Sequence, residues 1–164
     1  MASSGTAYLL LDVAGTPCAL PHAAVAEVLP LPDLHAPPAA GGWLSGFLNL
    51  GGAPVPVIDL ASLLGIRADP SPAGLYAHLV LVRGEAVAYC VDRVADLIIV
   101  PDPAIRPAGE EGTLNGCVVA ELVRDERLVH VLAPARLLSA QERARVAALA
   151  RVAAERLAAL PDLA

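Results

Sequence analysis

Short apolar runs separated by glycine- and proline-rich turns constrain the fold of this chain more than any other feature of its sequence. The runs have the length of β-strands, and the segments between them are rich in residues that tight turns favour. Many short strands with closely spaced turns are typical of β-barrels and β-sandwiches. We therefore predict a mainly β protein, with strands over residues 7–13, 17–20, 25–29, 43–50, 55–60, 76–82, 85–91, 94–100, 116–123 and 127–132.

The segment 43–60, "WLSGFLNLGGAPVPVIDL", predicts a hairpin. Gly51 and Gly52 tolerate the positive φ values that a two-residue hairpin turn requires. Pro54 and Pro56 lack the backbone N–H that a sheet ladder uses, so we expect them at a sheet edge or at a bulge. The segment offers no nucleophile, no general base and no phosphate-binding loop.

Helices are predicted to be few, and the longest is at the C-terminus. Asp59 can cap a short helix over residues 60–64. The C-terminal helix, residues 139–160, begins with a capping box formed by Ser139 and Glu142. This helix either lies over its own β body or presents its outer half to another protein.

The two halves of the chain are similar where each one ends. Residues 55–64, "VPVIDLASLL", align with residues 129–138, "VHVLAPARLL", and five of the ten positions are identical. Each segment consists of the second strand of a hairpin and a short helix. The match indicates two similar small β units in tandem.

The charge of the chain excludes several classes of function. A net charge of −6 and an isoelectric point near 5.1 argue against nucleic acid, which requires a basic surface. All eleven cationic side chains are arginine, which excludes a P-loop and a Schiff-base lysine. Arginines interrupt the best candidate for a membrane span, residues 128–160, and the N-terminus lacks the basic region of a signal peptide. We expect a cytoplasmic protein.

The residues that most often carry catalysis are scattered. The histidines show no metal-ligand spacing, so we expect no metal site and no cofactor. Cys18, Cys90 and Cys117 are odd in number and lack CxxC spacing, and we interpret them as buried reduced thiols. We expect that the chain is not an enzyme. The alternative from that class is a thiol-dependent enzyme that pairs Cys90 with His78 on neighbouring strands.

The order of the motifs resembles the family of chemotaxis coupling proteins, the CheW-like domains, over residues 7–142. Each motif is degenerate by itself, but their order and spacing are specific. The motifs are "ALPHAAVAEVLPLP", "GFLNLGGAPVPVIDLASLLG", "AYCVDRVADLIIV", "IRP", "LNGCVV" and "ERLVHVLAPARLL".

The resemblance implies two SH3-like five-stranded β-barrel subdomains that share a hydrophobic core, with short helices and a C-terminal α-helix. The whole chain, 1–164, is then a single CheW-like domain. We expect the first barrel at roughly residues 17–75 and the second at roughly residues 76–138, and residues 7–16 can join the second barrel.

The resemblance also implies a function. Members of the family are non-catalytic adaptors that couple the cytoplasmic tips of methyl-accepting chemoreceptors to the regulatory domain of a CheA-type histidine kinase. The expected location is the cytoplasm, in association with membrane-bound receptor arrays. Other CheW-like domains are further expected partners, whereas nucleic acid and direct membrane insertion are not expected.

Partner-binding positions follow from the same resemblance. One group matches a strand near the receptor groove, a second matches the family's Asn-Leu-Arg-Gly turn, and an aromatic residue borders the groove from the second barrel. The positions are Val25, Glu27, Val28, Asn49, Leu50, Gly51, Gly52 and Tyr76. Val91, Asp92 and Val94 match a segment that is expected to be structural.

Gly51 departs from the family pattern, because the family usually has arginine at this position. That arginine is thought to pair with the glutamate that Glu27 matches. An exposed ion pair contributes about 0–1 kcal/mol, so we expect the fold to survive and the signalling geometry to change. The C-terminal helix is also longer than is usual. The alternative function is therefore a specialised adaptor of a non-flagellar chemosensory pathway (pili, surface sensing or a second messenger) with altered receptor coupling.

Overall fold

The computed structural model describes residues 5–32, 43–66, 76–107 and 116–159, apart from the side chain of Leu157. Within these ranges the chain is mainly β. The strands are β1 (Gly5–Val13), β2 (Thr16–Pro21), β3 (Val25–Pro30), β4 (Leu44–Leu50), β5 (Ala53–Asp59), β6 (His78–Val82), β7 (Ala88–Val91), β8 (Arg93–Pro101), β9 (Arg106–Pro107), β10 (Val118–Arg124) and β11 (Arg127–Leu132). The helices are α1 (Leu60–Leu63), α2 (Pro134–Leu137) and α3 (Ala140–Ala159), with short 3-10 turns at His22–Ala24 and Asp102–Ala104.

The strands form two sheets. Sheet I has five strands in the order β3-β6-β7-β5-β4, and sheet II has six in the order β8-β1-β2-β11-β10-β9. Every strand that the apolar runs predicted is present. The sequence did not indicate β9, because two residues that include a proline carry no strand pattern.

The two sheets repeat one plan. Strands β3, β6, β7, β5 and β4 occupy in sheet I the places that β8, β1, β2, β11 and β10 occupy in sheet II. In each sheet the hairpin strand before a short helix runs parallel to its neighbour, with Val57 opposite Ala88 in one and Val131 opposite Ala19 in the other. The duplication indicated by the sequence match is therefore present in the structure.

The halves of the chain exchange strands in both directions. Strands β1 and β2 leave the first half to join sheet II, while β6 and β7 leave the second half to join sheet I. The sequence suggested a crossing of residues 7–16 only. A local pattern identifies a strand but not its neighbour, because pairing joins residues that are far apart in the chain.

The largest hydrophobic cluster of the described residues is shared by the two sheets. Two smaller apolar clusters are each formed mainly by residues of one sheet, one in sheet II and the other in sheet I. Burying an aliphatic side chain stabilises a protein by about 1.5–3 kcal/mol, so the shared core joins the sheets strongly. Its buried members include Leu9, Leu20, Ile58, Val80, Tyr89 and Leu132.

The first half of α3 is fastened to the β body. The predicted capping box is present, since Ser139 Oγ accepts a hydrogen bond from the Glu142 N–H at 3.1 Å and Glu142 Oε1 accepts one from the Ser139 N–H at 2.7 Å. Val146 is buried in the shared core. From Arg151 onward most of the described side chains are exposed. In the described ranges, no helix is both long enough and apolar enough to span a membrane.

Arg143 makes the polar connection between α3 and the body. Its guanidinium forms an ion pair with Glu85 and donates to the Ala135 carbonyl at 3.0 Å. The Tyr89 hydroxyl lies close by, and burial followed by the Glu85 charge raises the pKa of Tyr89.

Candidate partner-binding surface

Strand β3 divides its predicted site residues between the core and the surface. Val25 lies opposite Val82, and Glu27 lies opposite Leu81, so Ala26 is the extra residue of a β-bulge. The bulge lets Val25 and Val28 both face the shared core, and Val25 is only 6% exposed. Glu27 is exposed. This strand can therefore offer a partner a carboxylate, while Val25 contributes mainly to packing.

The turn between β4 and β5 has the backbone that the double glycine predicted. Gly51 has φ 60° and Gly52 has φ 90°, both in the left-handed region. Asn49 Oδ1 accepts a hydrogen bond from the Gly52 N–H at 2.9 Å, which fixes the turn. Leu50 is 37% exposed beside it. The turn thus presents a polar and an apolar side chain on a rigid hairpin.

The prolines of β5 lie where they remove no ladder hydrogen bond to β7. The register between β5 and β7 begins at Val57 and ends at Asp59, so Pro54 and Pro56 precede it. Asp59 occupies the N-cap position of α1, as predicted, but its side chain makes no capping hydrogen bond to the helix backbone. Its carboxylate instead accepts a hydrogen bond from the Ser62 hydroxyl at 2.9 Å.

Tyr76 is the most exposed of the predicted aromatic and aliphatic site residues, with 65% of its surface accessible. The Arg93 guanidinium carbon lies 5.8 Å from the centre of its ring, which is within the range of a cation–π contact. His78 Nδ1 lies 2.7 Å from the Tyr76 carbonyl oxygen and holds the backbone at the entry to β6.

An acidic residue follows a bulge in β8 as it does in β3. Val94 lies opposite Leu11 and Asp96 lies opposite Leu10, so Ala95 is the extra residue. The sequences "VAEVL" at 25–29 and "VADLI" at 94–98 occupy equivalent positions in the two sheets. Asp96 is thus the structural counterpart of Glu27. This repeat is visible in the sequence but is too short to be noticed without the register.

Asp96 has an arginine partner, whereas Glu27 forms no ion pair in the part of the chain that is described. Arg124 Nη2 lies 3.2 Å from Asp96 Oδ2. Arg124 is the last residue of β10 before a two-residue turn. Its position in that hairpin is equivalent to the position of Leu50 at the end of β4. Sheet II therefore has an arginine–acid pair between a hairpin end and the bulged strand, with its arginine one position before the turn residue that corresponds to Gly51. The described residues of sheet I show no such pair.

Several aliphatic side chains outside the predicted positions are also exposed. They lie on the edge strand β8 and on the outer face of the β10–β11 hairpin, where opposite residues share a face. Exposed aliphatic groups on neighbouring strands are typical of surfaces that contact other proteins. They are Leu97, Ile99, Val119, Val123 and Leu128.

The geometry opposes the thiol-dependent enzyme. His78 lies opposite Val91 and Cys90 lies opposite Leu79, so the side chains of His78 and Cys90 point to opposite faces of sheet I. Burial, followed by the charge of Asp12, raises the pKa of Cys18 to about 12, and burial also raises the pKa of Cys117. These thiols are protonated at neutral pH and are poor nucleophiles.

The described residues also offer no cluster of three or more His, Cys, Asp or Glu side chains that could hold a metal ion. What the surface presents is hairpin ends, edge strands and exposed aliphatic groups beside single charges. The fold and the surface together define a duplicated β module built for contact with other proteins.

Comparison with known proteins specifies the class. The family model for the CheW-like domain matches residues 7–142, and the chain belongs to this family. A solved structure, the scaffolding protein TtCheW from Thermoanaerobacter tengcongensis, superposes with a TM-score of 0.71 at 21% sequence identity. That superposition covers 79% of this chain and 90% of the other, and it identifies the fold as two SH3-like subdomains.

Curated relatives share a shorter stretch. A probable chemotaxis protein CheW of Rhizobium etli is 38% identical over 77 residues, which are 44% of this chain and 47% of the relative. A chemotaxis protein CheW of Rhizobium meliloti is 31% identical over 70 residues, which are 43% of this chain and 45% of the relative. The matched stretch spans less than half the length of each of these relatives.

Proposed function

We propose that this protein is a non-catalytic adaptor that couples chemoreceptors to a CheA-type histidine kinase. Its partners are the cytoplasmic tip of a methyl-accepting chemoreceptor, the kinase regulatory domain and other CheW-like domains. It acts in the cytoplasm at membrane-bound receptor arrays, without nucleic acid and without direct membrane insertion.

The observation that carries this proposal is the exposure of the family-matched positions on a rigid framework. Glu27, the Asn49–Gly52 turn and Tyr76 reach solvent from strands and turns whose backbones are fixed by pairing, bulges and side-chain hydrogen bonds. A rigid surface loses little entropy on association, which suits an adaptor that must hold two partners in fixed geometry.

Binding measurements with the purified full chain test the proposal. The cognate kinase regulatory domain and a receptor cytoplasmic fragment are titrated separately, and each is expected to bind at micromolar concentration or below. Absence of binding to both at tens of micromolar would contradict the adaptor function. Kinase assays in reconstituted arrays then measure whether binding leads to activation.

A second candidate is a specialised adaptor of a non-flagellar pathway with altered receptor coupling. The observation that favours it is the turn of sheet I, in which glycine replaces arginine and Glu27 has no described cationic partner. The variants Gly51→Arg and Leu50→Arg each return a guanidinium to this turn. If kinase activation by the natural chain is already full and neither variant changes it, the glycine is neutral and this candidate loses its support.

A further inference from the structure

Arg93 occupies the junction of the two sheets. It begins β8, an edge strand of sheet II, and its guanidinium lies over the ring of Tyr76, which precedes β6 of sheet I. Both side chains are exposed. The contact therefore joins the surface predicted on sheet I to a residue of sheet II that the family match did not single out.

The hydrogen-bond donors of Arg93 are unused within the described ranges, where its recorded contact is the Tyr76 ring. The acids nearest to it in the chain and in the sheet are engaged elsewhere. Asp92, the residue before Arg93, accepts a hydrogen bond from the Ala14 N–H at 3.2 Å. Asp12, the cross-strand neighbour of Arg93, accepts from the Gly15 N–H at 2.7 Å, and Asp96 accepts from Arg124. A guanidinium that stacks on a ring keeps its N–H edge free for a carboxylate.

The Tyr76 ring and the Arg93 guanidinium together define the kind of partner segment that could bind at this position. An exposed tyrosine ring offers an apolar face, and the adjacent N–H groups can donate two parallel hydrogen bonds to one carboxylate. We propose that Arg93 is a further partner-binding residue, and that with Tyr76 it binds a receptor segment carrying Asp or Glu beside an apolar side chain. This inference rests on the adaptor function proposed above and assigns Arg93 to the receptor rather than to the kinase.

The test compares two partners and four forms of the full-length protein. Binding of the receptor cytoplasmic fragment and of the kinase regulatory domain is measured for the natural chain, Arg93→Gln, Arg93→Lys and Arg145→Gln. Arg145 is a matched control, since it is an exposed arginine on α3 outside the proposed contact. Thermal unfolding of each form verifies that the fold is retained.

We expect Arg93→Gln to weaken receptor binding about fivefold, the upper end of the range for an ion pair between exposed side chains. Arg93→Lys should recover part of the loss, because it keeps the charge but not the planar fork. Between about 0.05 and about 0.3 M salt, receptor affinity should fall more for the natural chain than for Arg93→Gln. Kinase binding should stay the same in all four forms.

Equal receptor affinity and equal salt dependence of the natural chain and Arg93→Gln would overturn the proposal. So would an equal loss of kinase and receptor binding, or a loss in Arg145→Gln as large as that in Arg93→Gln. Failure of the adaptor function itself is distinguishable, because the natural chain would then bind neither partner.

Discussion

At the scale of single residues, the turn at position 51 shows how a backbone angle limits a side chain. Gly51 has φ 60°, and a Cβ built there meets nothing within 4 Å, so strain and not space opposes a larger residue. The equivalent turn in sheet II holds Asp125 and Glu126 at φ 51° and 63°, so side chains are tolerated in this conformation.

The variant Gly51→Arg should lower the free energy of unfolding by about 1 kcal/mol, the cost of a left-handed conformation for a residue with a Cβ. Leu50→Arg, in the register of Arg124, should change it by less than about 0.5 kcal/mol, because Leu50 lies on a strand and is partly exposed. Urea unfolding measures both. Gly51→Asn is the control, and its free energy of unfolding should fall by less than that of Gly51→Arg because asparagine tolerates positive φ. Equal losses would contradict backbone strain as the cause.

Cys18 gives a prediction about pH. Burial raises the pKa of its thiol from an ordinary 9.0 to about 12. Between these values the unfolded chain loses the proton while the folded chain keeps it, so stability is full below about pH 9 and falls as the pH rises. The Cys18 contribution is at most about 1.4 kcal/mol per pH unit. Urea unfolding measures the free energy of unfolding at about pH 8 and about pH 10.5. The decrease between these two pH values should be smaller for Cys18→Ala than for the natural chain, and equal decreases would refute the assignment to Cys18.

At the scale of elements, the sequence predicted strands and turns well and predicted their neighbours poorly. Alternation and turn residues are local signals, so the hairpin around Gly51 and the capping box of Ser139 were both predictable. The pairing of β3 with β6 is not local, and neither is the ion pair of Asp96 with Arg124, which joins the bulge of β8 to the hairpin end of β10. Tyr76 is exposed and its partner-binding role stays a prediction, whereas the burial of Val25 depends on the bulge, which the sequence did not indicate.

Arg143 connects α3 to Glu85 and to the Ala135 carbonyl, and we expect this connection to help position the helix. The variant Arg143→Met keeps most of the side-chain length but leaves the poorly exposed Glu85 without its cation. We expect the free energy of unfolding to fall by about 2 kcal/mol, the size of a lost hydrogen bond to a charged group. Denaturant unfolding tests this, with Arg145→Met as a control that should stay within about 0.5 kcal/mol. A loss of the same size in both variants would show that the connection is not what positions α3.

At the scale of the whole molecule, the exchange of strands makes each sheet depend on both halves of the chain. Sheet I needs β6 and β7 from the second half, and sheet II needs β1 and β2 from the first. The shared core draws on both sheets. We therefore expect a substitution that destabilises one sheet to affect the other sheet as well, because each sheet contains strands from both halves of the chain.

Separation of the halves should abolish folding, and mixing them should restore it. The fragment of residues 1–70 contains three strands of sheet I but lacks β6 and β7, and the fragment of residues 71–164 contains four strands of sheet II but lacks β1 and β2. The missing strands leave apolar strand faces and unpaired strand edges exposed in each fragment. We expect each fragment alone to show no cooperative unfolding transition and a collapsed amide NMR spectrum. An equimolar mixture should regain dispersed resonances and a cooperative transition, because the pairing of β3 with β6 and of β1 with β8 can form between chains. A dispersed spectrum from either fragment alone would show that its sheet does not require the exchanged strands.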